Sequence, residues 1–128
     1  MFLLIGHESD LCCGRVEEAL RGLGQAVLLT PEPLAGENTF TWTLETRGSD
    51  SRLHLADGRV IPATALRGVL VRARGGPVDS AAWSPEDLAY VRAETQAALF
   101  AWLWGLPCTV VNRLPADLWF RPQRPFVE

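Results

Sequence analysis

Four short, continuously apolar runs constrain this chain more than anything else in it. Phe2-Leu-Leu-Ile5 runs into Gly6 without a polar residue between. A strand with no alternation has to be dry on both faces, the condition of a parallel sheet covered by helices. Ala26 to Leu29 and Gly68-Val-Leu-Val71, the centre of Leu66 to Arg72, repeat the pattern, and Cys108 to Val111 does so with a single threonine. Parallel neighbours need crossovers, and the first comes at once. Ser9 is a candidate N-cap, and Cys12, Val16, Ala19, Leu20 and Leu23 recur at helical spacing, with Glu17, Glu18 and Arg21 on the other face. Gly24 suits the left-handed residue that ends such a helix.

The stretch between the second and third runs has a different period. Pro31, Pro33, Gly36 and Asn38 mark a loop, after which Phe40, Trp42 and Leu44 alternate with polar residues. Arg47-Gly-Ser-Asp-Ser51 reads as a turn, Leu53 and Leu55 alternate with His54, and Asp57-Gly58 turns the chain into Val60-Ile61. This is a small antiparallel meander inserted between parallel elements. Ser84-Pro-Glu-Asp87 then places an N-cap, a proline at the first helical position and two acids in one turn. The helix that follows carries Leu88, Val91, Thr95, Ala98, Leu99, Trp102 and Leu103 as its stripe and stops at Gly105 and Pro107. The expected fold is α/β: a mainly parallel, Rossmann-like sheet flanked by helices, with the meander inserted. Residues 1–113 form one domain, and 114–128 are an aromatic, proline-rich tail.

Composition removes several functions. All 12 basic residues are arginine, so the chain has no lysine for a phosphate-cradling GxxxxGK[ST] loop or a Schiff base. A net charge of −3 gives no basic field for nucleic acid. Three cysteines, Cys12, Cys13 and Cys108, form neither a CxxC pair nor an even framework, which fits reduced thiols and a cytoplasmic location. The N-terminus lacks the basic region of a signal peptide. Thr95 to Asn112 is uncharged, but Gly105-Leu-Pro107 divides it, so no membrane span is expected.

In open parallel sheets, ligands gather at the carboxyl ends of strands. Three such ends carry polar groups: Gly6-His7-Glu8, Arg72 with Arg74, and Asn112-Arg113. Arginine forks can hold a carboxylate or phosphate, and His7 could serve as a base or anion ligand, against the plainer reading of polar residues surfacing at strand ends. Cys12 and Cys13 point about 100° apart on a helix and do not suit one metal; Cys12 fits the buried stripe. Glu94, beside the stripe of the long helix, is expected to pair with Arg72, against the plainer reading of a solvated carboxylate. Phe100 to Trp104 is apolar on every side, so something beyond a single sheet has to cover it. The meander with its Trp42, the tail, a second subunit or another domain are the candidates. Trp119, Phe120 and Phe126 make the tail too apolar for a disordered end, and it reads as a cut through a longer protein.

The opening Phe2-Leu-Leu-Ile-Gly6 strand and helix, the middle Gly68-Val-Leu-Val-Arg72-Ala-Arg74, the helix with Tyr90 and Glu94, and Cys108-Thr-Val-Val-Asn112-Arg113-Leu-Pro115 follow a familiar order. In that order the chain resembles the N-terminal (pre-ATP-grasp) domain of ATP-grasp ligases, especially the RimK-like group and the enzymes that modify ribosomal peptides. The resemblance implies a noncatalytic domain that supports and lines the cleft of a carboxylate-amine ligase working through an acyl-phosphate. It implies a peptide or amino-acid substrate, partner ATP-grasp lobes in cis or in trans, and ATP and Mg²⁺ held in those lobes and not by this chain. Arg72, Arg74, Asn112, Arg113 and His7 would line the cleft. The alternative is a free-standing module that dimerises or docks through Trp102, Trp104, Trp119, Phe120 and Phe126. A receiver-like domain is set aside, because Glu8 and Asp10 follow the first strand but the middle strand ends in Arg72 and there is no lysine.

Overall fold

The computed structural model describes residues 1–30, 39–45, 48–72 and 84–113. Strand β1 (Phe2–Ile5) leads into helix α1 (Leu11–Gly22) and strand β2 (Val27–Thr30). Strands β3 (Thr39–Glu45), β4 (Gly48–His54) and β5 (Val60–Pro62) come next, followed by a 3₁₀ turn at Ala63–Ala65. Strand β6 (Gly68–Val71), helix α2 (Pro85–Gly105) and strand β7 (Thr109–Val111) complete the described elements. The larger sheet has the order β2-β1-β6-β7 and is parallel throughout, while β3-β4-β5 form a separate antiparallel sheet. This is the α/β arrangement that the apolar runs and the meander predict.

Strand alternation assigns the two faces of the parallel sheet. Leu3, Ile5, Val69 and Val71 are buried in one cluster with Leu99, Phe100, Trp102, Leu103 and Leu106 from the end of α2. Phe2, Leu4 and Gly6, with Gly68, Leu70 and Arg72, therefore belong to the opposite face, the side of α1. Gly68 leaves room there for its register partner Phe2, whose ring would lie 3.0 Å from an added Cβ.

The apolar end of α2 is covered by the meander. Leu53 of β4, Ile61 of β5 and Ala63 lie in the same cluster as Trp102 and Leu103. Buried Ser51, on the inward-facing register of β4, accepts a 2.9 Å hydrogen bond from Trp102 Nε1. Trp102 is 2% exposed, so it is a core residue and not the docking group that the helix-end composition suggested. Residues 48–51, read from sequence as a turn, are strand: Trp42 pairs with Ser51, Thr43 with Asp50, Leu44 with Ser49 and Glu45 with Gly48. Gly, Ser and Asp have weak strand preference, and cross-strand pairing overrides it.

Both helix starts and one stop follow local chemistry. Ser84 Oγ accepts the Asp87 N–H at 3.1 Å and donates to the Asp87 carboxylate at 2.7 Å, with Pro85 at the first helical position. Gly24, at φ 71°, ends α1 in a Schellman arrangement, its N–H on Arg21 O at 2.9 Å and that of Gln25 on Leu20 O at 3.0 Å. The start of α1 lies one residue later than Ser9 suggests. Asp10 is the N-cap, and Cys13, not Cys12, is the buried cysteine. Leu23, expected in the stripe, is 74% exposed. No helix among the described residues is long and apolar enough to cross a membrane.

Trp102→Phe keeps most of the apolar contact but leaves the Ser51 hydroxyl without its indole donor, and should cost about 1–3 kcal/mol of unfolding free energy. Trp102→Ala should cost about 3–5 kcal/mol. Urea unfolding of both variants checks this, and a change below half a unit of RT in Trp102→Ala would place the indole outside the core.

Candidate functional site

The strand order sets where a ligand crevice belongs. From β1 the chain moves outward to β2, then returns across β1 to β6 and continues to β7, so the winding reverses between β1 and β6. Such switch points open at the carboxyl ends of the strands. Here those ends are Gly6-His7 and Arg72, joined by the Arg72 N–H donating to Ile5 O at 2.7 Å.

Three groups converge on this junction. Asp10 caps α1 with Oδ1, which accepts from Cys12 N at 2.8 Å and Cys13 N at 3.2 Å. Its other oxygen, Oδ2, accepts from Arg72, with Nε at 3.1 Å and Nη2 at 3.0 Å. One carboxylate thus ties the first turn of α1 to the end of β6. Gly6 lies between the two: a Cβ there would overlap Cys13 Sγ and stand 3.2 Å from Arg72 Cβ. Partial desolvation pushes the Asp10 carboxyl up, but the Cys13 N–H, the Arg72 guanidinium and the Cys12 N–H together outweigh it and hold the group below its ordinary range. Burial pushes the Cys13 thiol up, and the Asp10 charge pushes it further. The thiol stays protonated and unreactive.

This geometry corrects the expected ion pair. Arg72 is bonded to Asp10, and among the described residues no ion pair joins it to Glu94, which is exposed. Arg72 follows inward-facing Val71 and so points to the α1 side of the sheet, whereas Glu94 rides on α2 on the other side. The signal for Asp10 was present in the sequence, because aspartate caps as well as serine does and the two stand side by side.

The third strand end builds a different feature. Asn112 takes a left-handed conformation, φ 61°, which asparagine tolerates, and its side-chain nitrogen donates to Val71 O at 3.2 Å. Its amide is therefore spent on fastening β7 to β6. Arg113 lays its guanidinium carbon 4.8 Å from the Trp104 ring centroid, and its Nε is buried with no hydrogen-bond partner among the described residues. Trp104 remains 48% exposed. His7 is exposed on the rim before Asp10. Arg74, Trp119, Phe120 and Phe126 lie outside the described residues, as does the tail from 114. Among the described residues no group of three or more His, Cys, Asp or Glu side chains could hold a metal ion.

No protein-family profile and no curated protein matches this sequence. Solved structures do match in fold. The macrocyclase MdnC of Microcystis aeruginosa MRC, bound with the precursor peptide MdnA, superposes with a TM-score of 0.73 at 10% identity. A ribosomal-peptide-associated ATP-grasp ligase of Chryseobacterium gregarium, in complex with ADP and a leader and core peptide, gives 0.71 at 15%. The macrocyclase MdnB of the same Microcystis gives 0.70 at 18%. Each match covers 88% of this chain and 37%, 35% and 37% of the respective neighbour, so the chain spans little more than a third of their length. The chain therefore has the fold of a portion of peptide-modifying ATP-grasp enzymes, the group its sequence resembles.

Two outcomes follow from the junction. Because the folded Asp10 titrates below its ordinary value of 3.8, its stabilising contribution is complete above that pH and is lost as pH falls through the lower folded value. Asp10→Asn should flatten the fall in melting temperature on acidification, leaving the part due to Asp57, which the Arg59 N–H and guanidinium also hold low. An unchanged acid slope would mean that Asp10 is not ionised against Arg72. Gly6→Ala should cost about 1–3 kcal/mol by overpacking, and most of that loss should disappear when Cys13→Ala is combined with it.

Proposed function

We propose that this chain is the α/β lobe of a peptide-modifying ATP-grasp ligase, one that contacts the peptide and not the nucleotide. The observation that carries this reading is the match of 88% of the chain to roughly a third of three such enzymes. In a ligase of this class a peptide carboxylate takes the terminal phosphoryl group of ATP, and a second nucleophile then attacks the acyl carbon and releases phosphate. Both steps need cations at the phosphates. Without a lysine, and with Arg72 already bonded to Asp10, this lobe is poorly equipped for that work and suited to bracing the cleft.

Its contribution to the substrate falls to the rim of β7. Arg72 and Asn112 have partners within the domain, whereas Arg113 presents a planar fork backed by the Trp104 indole. A guanidinium stacked in this way is preorganised for a carboxylate and loses little freedom on binding it. The acidic side chain or terminus of a peptide is the natural recipient, with His7 along the same carboxyl edge of the sheet. Docking through Trp102 does not compete with this reading, because that indole is consumed by the core.

The test is kinetic. With ATP-grasp lobes supplied in cis or in trans, Arg113→Met should lower kcat/KM for an acidic precursor peptide about tenfold, some 1.4 kcal/mol of transition-state stabilisation, with the KM for ATP unchanged. A change confined to ATP would reassign the residue. Calorimetric titration of this chain with Mg·ATP should show no heat of binding, and micromolar binding would overturn the noncatalytic role.

A further inference from the structure

We infer that Asp10 is a built-in anion that closes the crevice at the β1/β6 switch point, occupying the seat a ligand phosphate or carboxylate would take. In open parallel folds this crevice accepts anions because the first helix directs its free N–H groups toward it and a strand end can add a cation. Both donors are present here, and both are committed to one side chain: Cys12 and Cys13 N–H to Oδ1, the Arg72 guanidinium to Oδ2. A second, steric observation agrees. Gly6, between them, is buried and so tightly enclosed by Cys13 and Arg72 that not even a methyl group fits. The crevice is therefore closed by charge and by volume together.

The closure assigns two roles. Arg72 becomes a positioning residue that anchors the start of α1, and the loop His7-Glu8-Ser9, bounded by Gly6 and Asp10, is held in one place: Asp10 N donates to His7 O at 3.0 Å. This inference rests on the sheet order and the Asp10 contacts and stands or falls independently of the ligase reading.

Inorganic phosphate is the probe, followed by nitrogen-proton correlation spectra of the full 128-residue chain. In the wild-type protein phosphate should leave the Cys12 and Cys13 amides unmoved. Asp10→Ala vacates the seat, and the same amides and the Arg72 Nε–H should then shift saturably, with affinity at least about tenfold above wild type. Asp10→Ser, which keeps a cap for α1, serves the same purpose if the alanine variant does not fold. Adding Arg72→Met to either should abolish the gain. Wild-type amides that titrate as readily as the variant's would overturn the inference, as would a folded Asp10 variant whose amides do not respond.

Discussion

A parallel sheet has to be dry on both faces, and the described residues supply only two helices to keep it so. α1 lies on the Leu4 side. On the other side the end of α2 settles among Leu3, Ile5, Val69 and Val71, and the meander then closes over it with Leu53 and Ile61. Phe100, Trp102 and Leu103 are buried between the two sheets, while Trp104 of the same apolar end stays half exposed. Burying an indole there brings a polar N–H into the core, and Ser51 supplies its acceptor. An inserted antiparallel sheet is thus part of how the parallel one is covered, and the core spans both.

The same alternation fixes the carboxyl rim. Once Ile5 and Val71 face α2, Gly6 and Arg72 must come out side by side toward α1, and the helix start can approach them only if position 6 has no side chain. The approach brings the first-turn N–H groups within reach of a carboxylate that also reaches Arg72. Asp10 meets both demands from the N-cap position, using separate oxygens. Neither contact requires deep burial; its strength lies in charge-assisted hydrogen bonds that share one acceptor group.

Much of this was readable in the residues. The apolar runs identified the four parallel strands, Ser84-Pro-Glu-Asp87 started α2, Gly24 ended α1, and the stripe from Leu88 to Leu103 proved to be the packed side of its helix. Errors arose where two local signals competed or where the answer lay across the sheet. Ser9 and Asp10 are both good caps, and separately the stripe taken through Cys12 put the wrong one of two adjacent cysteines inside, since it is Cys13 that packs against Gly6. Gly48-Ser-Asp-Ser51 has turn composition, yet its partner strand recruits it. The Arg72 partner depended on which face residue 72 occupies, and counting from Val71 would have excluded Glu94. The Trp104 and Arg113 stack joins a helix end to a strand end nine positions later, a contact that no periodicity encodes.

These placements separate two kinds of arginine on one rim. Arg72 is paired with Asp10 through Nε and Nη2. Arg113 has an aromatic backing and, among the described residues, a buried Nε with no acceptor, and a buried donor left unmade is costly. The absence of lysine sharpens the contrast. A mobile ammonium could reach around Asp10 to phosphates at the switch point, whereas arginine forks held by a carboxylate or an indole have fixed directions. The rim is consequently built for geometry over general attraction. Among the described residues it holds Arg72 against a carboxylate at β6 and Arg113 against an indole at β7.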